Sequence, residues 1–304
     1  MERATLEPLY EHFGGPDWHV KDGWLSSTNP CGDGTIGDAW YGVECTIFES
    51  GPSENSSSHV TGLVLPQNKL AGQLPLLHGL QYLRQLDFSN AGSSELAIDF
   101  DNAVSGTLNA LCGLGNISTV LLADNNIIGS IPDCIQSLTN ATVLNLNHNA
   151  IQGTTPISLC RLNNLEELHL QGNRLHGTVP ACIGKFLTAL RLLDYSNIHT
   201  DYSIANQSLS GTLPTSLCDL ERLEILMFQQ TLGLDGTIPE CLGARQPQLQ
   251  GLGFPNNRFN SMLPPSICQA KKLEYLYMWG NSLTGTRGHF QVVWGLLTSS
   301  SRWP

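Results

Sequence analysis

The stretch from Leu165 to Pro180, L-E-E-L-H-L-Q-G-N-R-L-H-G-T-V-P, contains the unit from which this chain is built. It follows the pattern LxxLxLxxNxLxGxxP. Nine copies lie 23 to 26 residues apart, except for two longer intervals, and begin near Val60, Leu83, Ile117, Ala141, Leu165, Leu190, Leu223, Leu249 and Leu273. Repeats of this length predict a solenoid in which each copy forms one coil. We number these coils one to nine in chain order.

The apolar residues of one coil explain why the coils must stack. Leu168 and Leu170 alternate with polar residues, which predicts a short strand with one buried side. Leu175 and Val179 return to the same narrow core. One coil cannot cover its own apolar side, so we expect stability to come from contacts between neighbouring coils.

A repeated asparagine follows the predicted strand in seven of the nine coils. Its side-chain amide can satisfy backbone groups that have left the strand ladder. Gly and Pro then direct the tight path that follows. We therefore interpret these asparagines as structural rather than catalytic, and they are Asn68, Asn102, Asn125, Asn149, Asn173, Asn257 and Asn281.

The charge of the chain excludes some partners. A net charge of -11 with only 15 Lys and Arg argues against nucleic acid and against an anionic membrane surface. No apolar run is long enough to span a bilayer. The opening residues, M-E-R-A-T-L-E-P-L-Y, lack an apolar signal core, so we expect no secretion signal in this stretch. A removed signal, a missing gene start and a protein that is not secreted all fit that expectation.

Residues 1–58 precede the repeats and are predicted to cap them. A helix is expected from Ala4 to Phe13, where a Gly-Gly-Pro sequence follows it. The segment Trp40–Cys45, W-Y-G-V-E-C, comes after an earlier Cys31. This arrangement resembles the amino-terminal cap of plant-type extracellular leucine-rich repeat proteins, and the resemblance implies a Cys31–Cys45 disulfide. Tyr41 and the long loop before Trp40 depart from the usual cap and are similar to algal and protist members.

The GxxP endings of several coils, such as Gly177–Pro180 and Gly236–Pro239, resemble the plant-specific repeat class. The resemblance implies an α/β repeat solenoid: a right-handed leucine-rich repeat horseshoe with a concave parallel β-sheet and short 3₁₀ turns on the convex side. It also implies that residues 59–287 form nine repeats.

Two loops and the carboxyl terminus interrupt the pattern. Loops are predicted at 91–101 and 198–206, each after a similar string, L-D-F-S-N and L-D-Y-S-N. The array therefore resembles a duplicated block of four repeats. Such rim loops often bind partners, although tolerated insertions without a role fit equally well. Residues 288–304 do not match the usual paired-Cys cap, and either an atypical cap or a truncated end explains them.

The remaining cysteines alternate between two positions of the repeat. An S-L-C or A-L-C sequence in one coil is followed by P-x-C or P-D-C in the next. Neighbouring coils lie roughly 5 Å apart, which suits a disulfide. The predicted pairs are Cys112–Cys134, Cys160–Cys182 and Cys218–Cys241, with Cys268 left as a free thiol. Four disulfides would indicate an oxidising compartment and an extracellular or cell-surface location.

Motifs for chemistry are absent from the sequence. It contains no CxxC, HExxH, Walker or GxSxG pattern, so we predict no enzyme, no catalytic residue, no metal site and no cofactor. Sequons mark Asn55, Asn116, Asn140 and Asn206 as glycosylation candidates. The number of sequons is close to what chance gives. Asn116 and Asn140 each come just before a predicted strand.

The favoured interpretation is a non-catalytic recognition module, a receptor-type ectodomain or a soluble relative, that binds a protein, peptide or glycan. An inhibitor of cell-wall polysaccharide hydrolases and a structural surface protein are the alternatives. A flat, repetitive, Thr-rich outer surface would favour the last, and this sequence does not show one. The sequence does not settle the oligomeric state. Candidate ligand-binding residues on the concave face are Asn145, Asn147, His148, His169, Gln171, Asp194, Met227, Gln229, Tyr275, Tyr277 and Trp279. The three aromatic residues would equally serve to pack beneath the tail.

Overall fold

The structure of the chain, a computed structural model, describes residues 2–26, 29–32, 39–48, 57–90, 101–197 and 208–284, and the backbone of 293–294. The chain forms two compact units, residues 1–150 and 151–304. The predicted loops at 91–101 and 198–206 lie outside the described residues except for Asp101. The tail 288–304 also lies outside them except for the backbone of 293–294.

The first unit contains one helix and two parallel ladders. Helix α1 is Arg3–His12, and the strands are β1 (Val43–Phe48), β2 (Ser57–Val64), β3 (Ala71–Gln73), β4 (Gln85–Asp87), β5 (Ala103–Thr107), β6 (Thr119–Leu121), β7 (Asn126–Gly129) and β8 (Val143–Asn145). The main sheet has the order β1-β2-β4-β6-β8, with β1 antiparallel to β2 and the others parallel. Strands β3, β5 and β7 form a second parallel sheet.

The second unit repeats this plan. Its elements are β9 (Ala150–Thr154), β10 (Glu167–His169), β11 (Arg174–His176), α2 (Cys182–Phe186), β12 (Leu192–Asp194), β13 (Ser210–Gly211), β14 (Ile225–Met227), β15 (Gly233–Gly236), β16 (Gly251–Gly253), β17 (Arg258–Phe259), β18 (Tyr275–Tyr277) and β19 (Val293–Trp294). The main sheet runs β10-β12-β14-β16-β18, and β19 pairs antiparallel with β18. Short lateral strands form the pairs β9–β11, β13–β15 and β15–β17.

Single 3₁₀ turns connect the strands in both units, for example at Asp133–Ser137 and Thr215–Asp219. The central leucine of each three-residue strand, such as Leu168 or Leu252, is buried. Parallel strands, 3₁₀ turns and a leucine core confirm the predicted α/β leucine-rich repeat solenoid.

The side chains of the repeated asparagines bond backbone groups outside the strand ladder, as the sequence predicted. Asn149 is buried, and its Oδ1 accepts a hydrogen bond from the Ile127 backbone N–H at 2.9 Å. Its Nδ2 donates to the carbonyls of Leu122 and Leu146. In the second unit, Asn173 likewise accepts from Ile151 N–H at 3.1 Å. Each asparagine therefore ties two coils together through backbone groups that no strand partner can reach.

An aromatic cluster forms the amino-terminal cap, where the predicted helix is confirmed. Trp24 stacks on Tyr10 with ring centroids 5.7 Å apart, and Trp18 and Trp40 pack against it at 4.9 Å. Trp18 Nε1 donates to the Phe13 carbonyl at 2.9 Å, so the buried indole does not leave a polar group unpaired. The cluster gives the first coil the apolar neighbour that a terminal coil lacks.

Four disulfides join the pairs that the sequence predicted, namely Cys31–Cys45, Cys112–Cys134, Cys160–Cys182 and Cys218–Cys241. Their Cα atoms lie 5.4 to 5.9 Å apart, the separation that a disulfide prefers. Within the described part of the chain, Cys268 is the free cysteine and is exposed. Each of the three repeat-borne disulfides links one coil to the next.

Candidate recognition surface

The strand face is the surface formed by the first and third residues of the three-residue strands in each main sheet. Because side chains alternate along a strand, these residues point away from the leucine core. In the second unit the third residues of β10, β12, β14 and β18 are His169, Asp194, Met227 and Tyr277, and Tyr275 is the first residue of β18. Gln171, Gln229 and Trp279 each lie two residues beyond a strand. All eight were predicted from the sequence.

The three predicted residues of the first unit, Asn145, Asn147 and His148, lie at the end of strand β8 or just after it. Asn145 is the third residue of β8, and its Oδ1 accepts a hydrogen bond from the Asn147 N–H at 3.1 Å, so this pair forms a local turn. His148 has a φ of 51° and is exposed. It occupies the left-handed turn position after the strand, not the strand itself. The expectation that His148 faces a partner on the concave side stays a prediction.

A glycine-floored trough crosses the strand face of the second unit. Strand β16 is G-L-G, with Gly251 and Gly253 at its outward positions. In the sheet register, Gly253 lies between Met227 of β14 and Tyr277 of β18. A Cβ on Gly253 would overlap Met227 Sδ and lie 3.6 Å from Tyr277 Cδ2. The Met227 thioether thus occupies the space that these glycines leave open.

The walls of this trough are apolar. Ile225 lies beside Gly251 on one side, and Tyr275 lies beside it on the other. The rings of Tyr275 and Tyr277 are 6.3 Å apart and inclined by 23°, and Tyr275 is 38% exposed. Met227 and the tyrosines were predicted from the sequence, whereas Ile225 and both glycines were not. The sequence G-L-G at 251–253 was the available signal, because two glycines replace side chains at both outward positions of one strand.

Carboxylates dominate the neighbouring part of the same face. We consider strands β10, β12 and β14, each together with the residue that precedes it. These positions hold four carboxylates, Glu166, Glu167, Asp194 and Glu224, and one guanidinium, Arg191. Arg191 bonds Glu224 at 2.9 Å and lies 3.8 Å from Glu166. The hydrogen bond from Arg191 lowers the pKa of Glu224, so this carboxyl stays charged.

The predicted residues His169 and Asp194 belong to this acidic part. His169 Nε2 lies 3.1 Å from Glu167 Oε2. Asp194 Oδ1 accepts a hydrogen bond from Ser196 N–H at 2.8 Å, which closes a turn after the strand. The Asp194 carboxylate therefore has a structural role and still adds negative charge to the face.

A second aromatic cluster lies at the start of the first unit. His59 stacks on Tyr82 with centroids 4.0 Å apart, and Phe48 packs against both rings. His59 Nδ1 lies 3.4 Å from a Glu2 carboxylate oxygen, and its Nε2 is 2.9 Å from Ser57 Oγ. The second Glu2 oxygen accepts from Val60 N–H. These contacts fasten the residue before α1 to strand β2.

Threonines form a column on the lateral surface of the second unit. The residue after the repeated glycine is an exposed Thr in four successive coils: Thr154, Thr178, Thr212 and Thr237. The methyl groups of the first three lie against the next glycine, 2.9 to 3.4 Å from where a Cβ would stand. This packing gives the side chains a common orientation. No Thr-rich outer surface was expected from the sequence, and the column corrects that expectation for this unit.

A small buried cavity marks the place where the asparagine ladder changes. Thr231 occupies the ladder position in coil seven and donates a hydrogen bond to Asn257 Oδ1. The cavity beside it is lined by Tyr195, Asn197, Ser208 and their neighbours, and among the described residues Asn197 Oδ1 and Ser208 Oγ have no hydrogen-bond partner there.

Within the described residues, no group of three or more His, Cys, Asp or Glu side chains could hold a metal ion. No helix in that part of the chain is both long enough and apolar enough to cross a membrane. The predictions of no metal, no cofactor and no catalysis stay predictions.

Comparisons with known proteins agree with this geometry. A profile of the leucine rich repeat family matches residues 115–175. The structure of the Arabidopsis receptor kinase HAESA, solved with the peptide hormone IDA and the co-receptor SERK1, is 26% identical. Its TM-score is 0.72, and the match covers 93% of this chain and 42% of that one. Residues 115–175 thus carry leucine-rich repeats, and the fold of the chain is similar to that of a plant receptor kinase ectodomain.

Other structures with this plant-type repeat fold match along most of the chain. The ectodomain of the Arabidopsis thaliana receptor kinase GASSHO1/SCHENGEN3, in complex with CASPARIAN STRIP INTEGRITY FACTOR 2, is 24% identical with a TM-score of 0.66, and the match covers 95% of this chain and 33% of that one. A plant ice-binding protein is 22% identical with a TM-score of 0.63, covering 93% and 87%. The chain thus spans less than half the length of either receptor. No curated protein sequence matches it significantly.

Proposed function

We propose that this plant-type leucine-rich repeat chain is a non-catalytic recognition module that binds a peptide or protein on the strand face of its second unit. The observation that carries the proposal is the cluster of Met227, Tyr275 and Tyr277 around a glycine-floored trough. Exposed aromatic side chains supply much of the binding energy at protein interfaces. The HAESA structure, which contains a peptide hormone and a co-receptor, supports a partner of this kind.

The proposed location is extracellular or at the cell surface. Four disulfides in a chain of this size require an oxidising compartment to form and persist. Asn116 and Asn140 are exposed residues just before the strands of coils three and four, where a glycan has room. We propose both as glycosylation sites; Asn55 and Asn206 lie outside the described residues. Intact mass measurement before and after glycosidase treatment of the secreted protein would test this.

The test of the function is selection from a phage-displayed pool of random 12-residue peptides on the full chain. Synthetic copies of the enriched peptides are then measured by isothermal titration calorimetry against wild type and against the double variant Tyr277→Ala, Trp279→Ala. We expect a loss of about tenfold or more in affinity, because two aromatic contacts are removed. Tyr41→Ala is the matched control, since Tyr41 is 40% exposed and lies in the first unit.

Two results would overturn the proposal. One is the absence of any peptide that binds wild type more tightly than the double variant. The other is unchanged affinity in a double variant whose melting temperature falls, because these aromatics would then serve only to cover the last coil. Equal losses in Tyr41→Ala and the double variant would indicate that binding is not on the strand face.

A second candidate function is binding to a repetitive surface such as ice, and the threonine column favours it. Four exposed threonines, three of them held in a common orientation by their methyl contacts, repeat at the coil spacing of about 4.8 Å, and a regular array of hydroxyl groups suits binding to a lattice. Ice recrystallisation inhibition would test this candidate. Thr178→Lys should abolish the inhibition if the column binds ice, whereas Asn164→Lys, an exposed polar site away from the column, should not. Absence of inhibition by wild type would refute it.

A further inference from the structure

We infer that the trough of the second unit selects an extended cationic peptide, one that carries an apolar side chain about four residues from a Lys or Arg. The inference rests on the proposed function and specifies the ligand chemistry of the same surface. Its elements are the glycine floor at Gly251 and Gly253, the movable Met227 side chain, and the acidic part of the strand face around Glu167.

The apolar anchor is assigned to the space above Gly253. Met227 Sδ and Cε fill this space, and no Cβ stands on Gly253 to keep them there. Methionine is unbranched and adapts to different neighbours at low cost. A peptide side chain that displaces the thioether would contact the glycine backbone below and Tyr277 beside it. Aliphatic side chains the size of Leu or Met match the group that they replace.

The charge of the partner follows from the adjoining strands. Four carboxylates and one guanidinium occupy the defined positions of β10, β12 and β14. Arg191 is engaged with Glu224 and Glu166, and the other two carboxylates are Glu167, 3.1 Å from His169 Nε2, and Asp194, so carboxylates outnumber guanidinium groups on this part of the face. An anionic peptide would be repelled there, whereas a Lys or Arg would find a complementary field.

The spacing follows from the sheet. Strands β10 and β16 are separated by two strands, β12 and β14. Three interstrand steps of about 4.8 Å span roughly 14 Å, and an extended peptide advances about 3.4 Å per residue. A peptide that crosses the strands therefore places its basic residue about four positions from the anchor. The apolar anchor at Gly253 and the basic residue near Glu167 together fix the direction in which the peptide crosses the strands.

The experiment uses the peptides enriched on the full wild-type chain from the random 12-residue library. We expect them to share an aliphatic residue and a Lys or Arg about four positions apart. Gly253→Leu should weaken their binding about tenfold, because the new side chain fills the trough. Gly253 does not have a positive φ, so the substitution requires only that the end of Met227 move. Gly253→Ala gives a smaller perturbation of the same site should the leucine variant fail to fold.

The charge component is tested separately. Glu167→Gln should weaken binding severalfold and reduce its dependence on salt concentration, because a screened charge contact is lost. Replacing the basic residue of the peptide by Gln should have the same effect and should not add to that of Glu167→Gln. Met262→Ala is the control, since Met262 is 62% exposed and lies on no strand of the main sheet.

The outcomes separate the inference from the proposed function. The inference alone would be overturned if the enriched peptides lose affinity for the Tyr277→Ala, Trp279→Ala variant but lack the shared spacing. The same conclusion would follow if such peptides bind both Gly253 variants as well as they bind wild type. Peptides that bind the double aromatic variant as tightly as wild type would overturn the proposed function. Shared spacing together with loss in Gly253→Leu, and none in Met262→Ala, would support both.

Discussion

Replacement of Asn125 by Ala tests the physical basis of coil stacking. Asn125 is buried, and its Oδ1 accepts a hydrogen bond from the Val104 N–H at 2.9 Å. Its Nδ2 donates to the carbonyls of Phe88, Leu122 and Ala123 at 2.8 to 3.3 Å. The side chain thus bonds backbone groups of two coils, its own and the one before it. Alanine retains none of these hydrogen bonds.

The cost can be worked out from the groups left behind. The carbonyl of Phe88 keeps a hydrogen bond from Asn102, and that of Leu122 keeps one from Asn149. The Val104 N–H is left buried and unpaired, which costs roughly 1–3 kcal/mol. The carbonyl of Ala123 likewise keeps a hydrogen bond from the Asn90 N–H. We therefore expect the free energy of unfolding to fall by about 1–3 kcal/mol.

The assay is urea denaturation of wild type, Asn125→Ala and Asn126→Ala, together with hydrogen exchange at the Val104 amide. Asn126 is the next residue and is exposed, so its substitution should change stability by no more than about 0.5 kcal/mol. The Val104 amide should exchange much faster in Asn125→Ala only. Equal stability of the two variants, or unchanged protection of Val104, would refute the reasoning.

Two further predictions concern buried polar groups and disulfides. Burial raises the pKa of Tyr195, whose hydroxyl lies 3.1 Å from Thr155 Oγ1. Because the folded pKa lies above the unfolded one, this contribution to stability is complete below about pH 10 and is lost as the pH rises through the folded value. Tyr195→Phe should therefore be less sensitive to alkali than wild type in a pH series of thermal melts, and an equal alkaline loss would contradict this. Replacing Cys160 and Cys182 together by Ala should cost about 2–4 kcal/mol, measured by denaturation without reductant. Peptide mapping should find Cys268 alkylated in the wild type, and a reactive Cys160 would contradict the disulfide assignment.

The arrangement of coils was predictable because each structural decision in it is local. The LxL pair, the following asparagine and the Gly and Pro residues recur at fixed offsets, and each requires one backbone conformation. The disulfides were predictable for the same reason, since Cys160 and Cys182 hold fixed places in adjacent coils. Helix α1 followed from its apolar pattern and from the glycines after His12, where Gly14 has the left-handed φ of 67°.

The recognition surface was only partly predictable, because it depends on which side chains meet across strands. The outward positions of Met227, Tyr275 and Tyr277 followed from alternation along a strand. The Met227 side chain packs over Gly253. This is a tertiary contact between residues 26 positions apart in the sequence, and no local pattern encodes it.

The backbone conformation at His148 is a further feature that the sequence pattern did not indicate. The pattern placed this residue just after the strand, and the structure adds that its backbone there is left-handed, with a φ of 51°. By itself, the sequence determined the coils, their order and their disulfides, because these depend on short-range periodicity. Only the tertiary structure decided which outward residues share a trough, since that depends on the lateral packing of side chains from different coils.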